Sequence, residues 1–214
     1  TIPDAWAVGL GTDRANIDNC GEGIALWQNS RFFLHKRHGI PSNCVSDVTV
    51  ASDKRLFVGV GPRGGIGAKE LGVAILKEDS TWVNILKPTI PTNMVHRCDA
   101  DLVGRVWFGG NWEGAVFFYD TKGDSWVAYN PGNSGMLYNF TWDIRCDKDN
   151  NMCVVAGDPA RVIILDSSLT NWNYLNPTNM GHTSDMDVRG DTICVATKDQ
   201  GLIIIDTKGT LFDN

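Results

Sequence analysis

The hexapeptide Gly201-Leu-Ile-Ile-Ile-Asp206 and its counterpart Arg161-Val-Ile-Ile-Leu-Asp166 decide the fold of this chain, because their pattern occurs five times. Each copy has a glycine or arginine, a run of mostly apolar residues and a polar stop. The other copies are Gly23-Ile-Ala-Leu-Trp-Gln28, Gly72-Val-Ala-Ile-Leu-Lys77 and Gly114-Ala-Val-Phe-Phe-Tyr-Asp120. Their starts lie 40 to 49 residues apart, and self-similarity at such a period indicates a repeat architecture.

Each copy has the same neighbours along the chain. A second apolar segment precedes it, at residues 5–10, 56–60, 106–110, 153–157 and 193–197. Before that lies a third segment, at residues 46–50, 142–146 and 184–188. Its pattern is a small or aromatic residue, Asp, an apolar residue, any residue and an apolar residue. Residues 94–98 occupy the same place in the repeat, with Val95 instead of Asp. A fourth segment carries Trp82, Trp126 or Trp172 near its start, and this recurrence predicts a core position.

Four short strands per period of about 45 residues are typical of β-propeller blades, whereas a β-sandwich needs no such period. The sequence therefore predicts an all-β fold, one β-propeller domain of about five four-stranded blades. The expected blades are residues 1–40, 41–88, 89–131, 132–177 and 178–214. The first unit lacks an innermost strand and the last has a very short outermost one, so the ring is expected to be incomplete or closed imperfectly by its ends.

Composition restricts the function. The chain has 214 residues, 43% of them apolar and 21% charged, an ordinary globular balance that excludes disorder. A net charge of −6 disfavours nucleic acid, because the field of the protein repels phosphate. No apolar run is long enough to insert into a membrane, and no signal peptide is visible at Thr1.

The segment Asn43-Cys-Val-Ser-Asp-Val-Thr-Val-Ala-Ser-Asp-Lys-Arg-Leu-Phe-Val-Gly-Val60 resembles the two-component regulator propeller repeat, as do Ile90-Pro-Thr-Asn93, Arg105-Val-Trp-Phe-Gly-Gly110 and residues 114–120. The sequence departs from that family at Phe57, Val154 and Cys194, where the repeat has Trp. The resemblance implies a ligand-sensing ectodomain of a periplasmic hybrid sensor, although related propellers also occur in lectins, lyases and glycosidases. Without a transmembrane helix or kinase domain, a complete sensor is not expected.

Six cysteines are too few for a disulfide scaffold. Cys146 and Cys153 flank a turn between two strands, where antiparallel neighbours come within bridging distance, and Cys20 and Cys44 are expected on one face of the propeller. The sequence thus predicts two disulfides and an extracellular or periplasmic location for a mature chain. The alternative is six buried free thiols in a cytosolic protein.

Three aspartates, Asp47, Asp143 and Asp185, open the innermost strands of their blades and are expected around the axis. Clustered carboxylates there could bind calcium or sugar hydroxyls. The alternative, which the sequence favours, is that each carboxylate accepts backbone N–H groups locally. The turn Asp147-x-Asp149-x-Asn151 lacks the glycine and distal Glu of a calcium loop. No cofactor is therefore predicted, with calcium as the only candidate.

Aromatic residues give the best binding hypothesis. Trp112 follows the second strand of blade three, and Tyr138, Phe140 and Trp142 lead into blade four, so both groups are expected on one face. Exposed aromatic rings near polar side chains suit sugar stacking with directional hydrogen bonds, although a hydrophobic plug between blades is an equal alternative. The predicted ligand-binding residues are Trp112, Trp142, Tyr138, Asn111, His96 and Asp143.

Catalysis has less support. His96 and His182 are the candidates for a general base, since both lie at or just before an innermost strand, but no catalytic motif accompanies them. The sequence thus favours a non-catalytic recognition propeller with a carbohydrate or protein partner. The alternatives are a propeller lyase or hydrolase with a cation-assisted histidine base, and a structural subunit that assembles, with itself or with other chains, through open blade edges.

Overall fold

The computed structural model describes residues 6–10, 23–28, 31–35, 40, 45–60, 72–110, 116–175 and 180–212. These residues form strands, turns and loops only. No helix long and apolar enough to cross a bilayer occurs in this described part of the chain.

Eighteen strands occur in the described residues. They are β1 (Trp6–Leu10), β2 (Gly23–Gln28), β3 (Arg31–His35), β4 (Val45–Val50), β5 (Leu56–Val60), β6 (Val73–Leu76), β7 (Trp82–Ile85), β8 (Val95–Ala100), β9 (Arg105–Gly110), β10 (Val116–Asp120), β11 (Ser125–Tyr129), β12 (Thr141–Cys146), β13 (Met152–Ala156), β14 (Arg161–Leu165), β15 (Trp172–Leu175), β16 (Thr183–Arg189), β17 (Thr192–Thr197) and β18 (Leu202–Asp206).

These strands form five antiparallel sheets in chain order, which are the blades. Blade 1 is β1–β3, blade 2 is β4–β7, blade 3 is β8–β11, blade 4 is β12–β15 and blade 5 is β16–β18. The innermost strands touch in succession, β4 against β8, β8 against β12 and β12 against β16. The predicted β-propeller fold is confirmed.

Among the described residues, the sheets at the two ends are smaller than the middle ones. Blade 1 has three described strands, and blade 5 also has three, with an isolated bridge from Leu211 to Ile205 where a fourth strand would pair. In blade 5 the third strand, β18, is therefore less covered, and Leu202 is 53% exposed. That the strand missing from blade 1 is the innermost one stays a prediction.

The core lies between the blades rather than inside any one of them. The third strands β6, β10 and β14 are apolar and almost wholly buried, because neighbouring blades cover both of their faces. One cluster lies between blades 2 and 3, a second between blades 3 and 4, and a third between blades 4 and 5. Trp82, Trp126 and Trp172 take the same register in β7, β11 and β15. Trp126 and Trp172 are half-buried against the first and second clusters, and Trp82 is half-buried against a fourth cluster, formed by blade 2 and Ile40.

The predicted disulfide between Cys146 and Cys153 is wrong. In the β12–β13 pair, Cys146 lies opposite Met152 and Cys153 lies opposite Arg145, so the two cysteines are diagonal neighbours whose side chains leave opposite faces of the sheet. Cys146 packs between blades 3 and 4, whereas Cys153 packs between blades 4 and 5. The sheet itself therefore separates the two sulfur atoms.

The thiols of Cys98, Cys146, Cys153 and Cys194 are all free. Burial raises the pKa of the Cys98 and Cys153 thiols well above the usual value and that of Cys146 to about 12. The predicted pair Cys20 and Cys44 lies outside the described residues.

Candidate functional site

A β-bulge opens the innermost strand of each of blades 2 to 5. In each, the pairing register shifts by one residue, between Val45 and Asp47, Val95 and Arg97, Thr141 and Asp143, and Thr183 and Asp185. The extra residues, which we call the bulge residues, are Ser46, His96, Trp142 and Ser184. A bulge bends the strand and changes the direction of its side chains. His96 and Trp142, both predicted site residues, thus occupy the same position in neighbouring blades.

This register corrects the sequence alignment of blade 3. In blade 2, Asp47 pairs with Gly59 of the second strand. In blade 3, the glycine at the same place in the second strand is Gly109, and it pairs with Arg97. The counterpart of Asp47 is therefore Arg97 and not Val95. The third blade therefore does carry a charge at the ring position, and its sign is opposite to that of the aspartates.

The charged side chains of the innermost strands converge on the propeller axis. Arg97 Nε lies 3.1 Å from Asp143 Oδ1, and Arg97 Nη2 lies 3.1 Å from Asp185 Oδ1. Arg145 Nη1 lies 2.9 Å from Asp143 Oδ1 and 3.9 Å from Asp47 Oδ2. Blades 3 and 5 are not neighbours, nor are blades 2 and 4, so these contacts join side chains across the axis. We call these five residues the axial cluster.

Two aspartates of the axial cluster also connect neighbouring blades. The Asp47 carboxylate accepts a hydrogen bond from the backbone N–H of Cys98 in blade 3, and Asp143 accepts one from Met186 in blade 5. Each also accepts the N–H of the residue that follows it. This is the local accepting role that the sequence favoured, extended from one blade to the next.

The electrostatics divide the cluster into a buried part and an accessible part. The Asp143 side chain is 1% exposed, and burial raises its pKa to about 7 despite the opposing guanidinium groups of Arg145 and Arg97. Burial also raises the pKa of Asp47. Asp185 is 62% exposed; burial disfavours its ionisation, but a hydrogen bond with Asp143 and the charge of Arg97 outweigh that effect and lower its pKa.

Trp142, the bulge residue of blade 4, directly precedes Asp143 of the axial cluster. The Trp142 indole N–H donates to the carbonyl of Gly157 at 2.9 Å, and its ring meets Phe140 edge-on at 4.4 Å and His182 at 5.9 Å. Trp142 is half-buried, with part of its surface in the core between blades 4 and 5.

Tyr138 covers Gly157, whose φ is +89°, and a Cβ at that glycine would lie 2.9 Å from the Tyr138 ring. Tyr138 therefore has a packing role. The predicted ligand-binding residues Asn111 and Trp112 lie outside the described residues.

The two candidate bases lie in different environments. His96 is 4% exposed, its Nδ1 has no hydrogen-bond partner, and burial lowers its pKa to about 4. His182 is 47% exposed, and its Nδ1 lies 3.9 Å from Asp158 Oδ1. His96 belongs to blade 3, and His182 directly precedes β16 of blade 5.

The carboxylates are not arranged as a metal site. In the described residues no three His, Cys, Asp or Glu side chains form a group that could hold a metal ion. Arg97 and Arg145 lie between Asp47, Asp143 and Asp185, so cationic groups fill the space that calcium would need. In the Asp147 turn, the carboxylate oxygens accept from the Asp149 and Asn151 N–H groups.

Sequence reasoning missed Arg97 and Arg145. Side chains of a strand point alternately to its two faces, so counting every second residue along each innermost strand could have placed both arginines on the axial face. The extra bulge residue obscured that count.

Solved structures with similar folds confirm, at the level of the fold, the resemblance to sensor propellers. The extracellular domain of a hybrid two-component system from B. thetaiotaomicron is 12% identical, with 97% of this chain and 29% of that chain covered and a TM-score of 0.64. Virginiamycin B lyase from Staphylococcus aureus is 13% identical, with 98% and 73% covered and a TM-score of 0.68. YCF48 bound to D1 peptide is 14% identical, with 87% and 57% covered and a TM-score of 0.58.

The chain thus spans less than a third of the sensor domain it resembles. No family model matches the sequence, and no curated protein is significantly similar to it. At these identities the similarity establishes the fold alone.

Proposed function

We propose that this chain is a non-catalytic recognition propeller that binds a carbohydrate at the axial cluster. The observation that carries the proposal is the accessible pair of opposite charges, Asp185 and Arg145, with an aromatic residue in the same innermost strand as Arg145. Asp185 is 62% exposed and Arg145 is 25% exposed, and Trp142 directly precedes Asp143 in the same strand.

The chemistry of these groups matches that of a sugar. An ionised Asp185 carboxylate accepts hydrogen bonds from hydroxyl groups, and the Arg145 guanidinium donates to hydroxyl or ring oxygens. Charged hydrogen bonds are stronger than neutral ones. The exposed part of the Trp142 ring gives the apolar face of a sugar a flat surface for stacking.

Two of the three similar structures support recognition, whereas the third is a lyase. One is an extracellular sensor domain and another is described with a bound peptide, so protein ligands belong in the same test. The sensor domain also supports a location outside the cytoplasm. Mass measurement with and without reductant tests that location, since a bridge between Cys20 and Cys44 requires an oxidising compartment.

Calorimetric titration against a glycan panel and a peptide panel tests the proposal. We expect a glycan to bind the wild type, and Asp185→Asn to weaken that binding at least fivefold, because a carboxylate acceptor becomes a partial donor. The matched control is Asp191→Asn, whose exposed carboxylate lies in the turn at the opposite end of the innermost strand. Absence of glycan binding, or equal binding by Asp185→Asn, would contradict the proposal.

A second candidate function is self-assembly through blade 5. Leu202, Leu211 and Phe212 expose 53%, 46% and 49% of their surfaces around the outer edge of β18, and a second copy of the chain could cover them by pairing edges. Sedimentation should show a concentration-dependent dimer that the double variant Leu211→Ser with Phe212→Ser lacks. A wild-type monomer at all concentrations would exclude this candidate.

A further inference from the structure

A cleft of about 420 Å³ lies between blades 2 and 3, in the outer part of the interface and away from the axial cluster. Ile75 and Ile85 of blade 2 form one wall, and Tyr119 and Trp126 of blade 3 form the other. This volume is within the range of about 300–1,000 Å³ that small-molecule sites occupy.

The next interface shows why the cleft exists. By register, Phe118 and Tyr129 of blade 3 correspond to Ile75 and Ile85 of blade 2. Between blades 3 and 4, Tyr129 packs edge-on against Trp172 at 5.4 Å and both rings join the core cluster. Two isoleucines in place of two aromatic rings leave the equivalent space between blades 2 and 3 open.

The polar end of the cleft is held in a fixed arrangement. The Arg55 guanidinium is paired with Asp53 at 2.6 Å and donates to the Tyr119 hydroxyl at 3.1 Å, which joins the two blades. The Tyr119 hydroxyl in turn donates to the Asp124 carboxylate. The charge of Arg55 is therefore offset by Asp53, while Asp124 lines the cleft from blade 3.

Lys77 supplies the opposite charge from blade 2, at a position where blades 3 to 5 have aspartate and blade 1 has Gln28. Its counterparts Asp120, Asp166 and Asp206 accept backbone N–H groups of the following turn. In blade 2, Asp79 accepts from Thr81 instead, so the turn does not need the residue at position 77. Lys77 is exposed and lines the cleft.

We infer that this cleft binds a zwitterionic small molecule of the class of large apolar α-amino acids. The carboxylate of the ligand pairs with Lys77, its ammonium group pairs with Asp124, and its apolar side chain packs between Ile85 and Trp126. A site with one charge of each sign and two apolar walls discriminates against ligands that lack either charge, because Lys77 or Asp124 is then left without an oppositely charged partner.

The test is titration with L-phenylalanine, followed by the indole ¹H–¹⁵N resonance of Trp126. We expect saturable binding that shifts this resonance. Two analogues with one charge each, 3-phenylpropionate and phenethylamine, should bind at least fivefold more weakly. Lys77→Gln and Asp124→Asn should each weaken phenylalanine binding at least fivefold; asparagine tolerates the positive φ of position 124.

Controls keep the result interpretable. Ile85→Tyr restores the residue found in blade 3 and should abolish binding, whereas Lys208→Gln, an exposed lysine in a turn of blade 5, should leave it unchanged. Asp185→Asn should also leave it unchanged, which separates this site from the axial one. No shift of Trp126, equal affinity for 3-phenylpropionate and phenylalanine, or full binding by Lys77→Gln would overturn the inference.

Discussion

At the scale of single residues, Asp143 shows burial outweighing ion pairing. Two guanidinium groups lie within 3.1 Å of its Oδ1 atom, yet its pKa rises to about 7 because the carboxyl is almost completely removed from water. The interaction with Asp143 and the charge of Arg97 lower the pKa of Asp185, so the exposed carboxylate stays ionised at the accessible side of the cluster.

This arrangement predicts a pH dependence of stability. An unfolded Asp ionises near pH 4 and folded Asp143 near pH 7, so between these values the folded state binds more protons. Its contribution is complete below pH 4 and is lost as the pH rises to 7, by roughly 1.4 kcal/mol per pH unit at most. Because Asp143→Asn cannot ionise, the difference in free energy of unfolding between wild type and variant should fall across this range. A difference independent of pH would contradict the assignment.

Thiol reactivity gives a second prediction. Cys98 and Cys153 are buried, and burial disfavours the thiolate forms of Cys98, Cys146 and Cys153, which are the reactive species. Iodoacetamide at pH 8 should label these three only after unfolding. Peptide mass spectra taken without reductant should contain no peptide linked between Cys146 and Cys153. Rapid labelling of native Cys153, or such a linked peptide, would show that the β12–β13 register is different.

At the scale of elements, carboxylates join the innermost strands of successive blades. Asp99 repeats the behaviour of Asp47 and Asp143, since it accepts the N–H groups of Ala100 and of Cys146 in the next blade. Neighbouring blades are therefore joined by hydrogen bonds near the axis as well as by the apolar clusters farther out.

Removing one such link should be measurable. Asp99→Ala leaves the Cys146 N–H without its partner and should lower the free energy of unfolding by about 1–3 kcal/mol. Asp187→Ala is the matched control, because its exposed carboxylate accepts only the adjacent Val188 N–H among the described residues and its loss should cost less than about 0.5 kcal/mol. Urea unfolding measures both free-energy changes, provided that the dependence of the free energy of unfolding on urea concentration is the same in the wild type and the variants. Equal losses would mean that the link between blades contributes nothing.

The strands could be predicted from sequence, and their axial alignment could not. Buried strands such as β6 and β14 are continuous apolar runs with a regular period, which identifies blades without any knowledge of contacts. A β-bulge adds one residue to a strand, and the kinds of residue in the strand do not reveal it. Arg97 was therefore missed, and Val95 was aligned in its place. The pairing of Cys146 with Cys153 failed for a related reason, since a one-residue change of register moves a side chain to the other face.

At the scale of the whole molecule, the propeller separates two kinds of surface. The axis gathers charged side chains from blades that are not adjacent, as the contact between Arg97 and Asp185 shows. The interfaces between blades are apolar, and a cleft opens between blades 2 and 3, where Lys77 takes the place of the aspartate found in blades 3 to 5. The repeat pattern predicts the shared architecture, whereas the candidate sites depend on residues that are particular to single blades.

The central claim is that ligands bind at the axial cluster beside Trp142, and the indole ¹H–¹⁵N spectrum tests it most directly. On addition of the best glycan from the panel, the Trp142 resonance, whose N–H donates to Gly157, should shift with a saturable dependence. The resonances of Trp82, Trp126 and Trp172 should stay in place. A glycan that shifts only Trp126, or that binds without moving Trp142, would contradict the axial site.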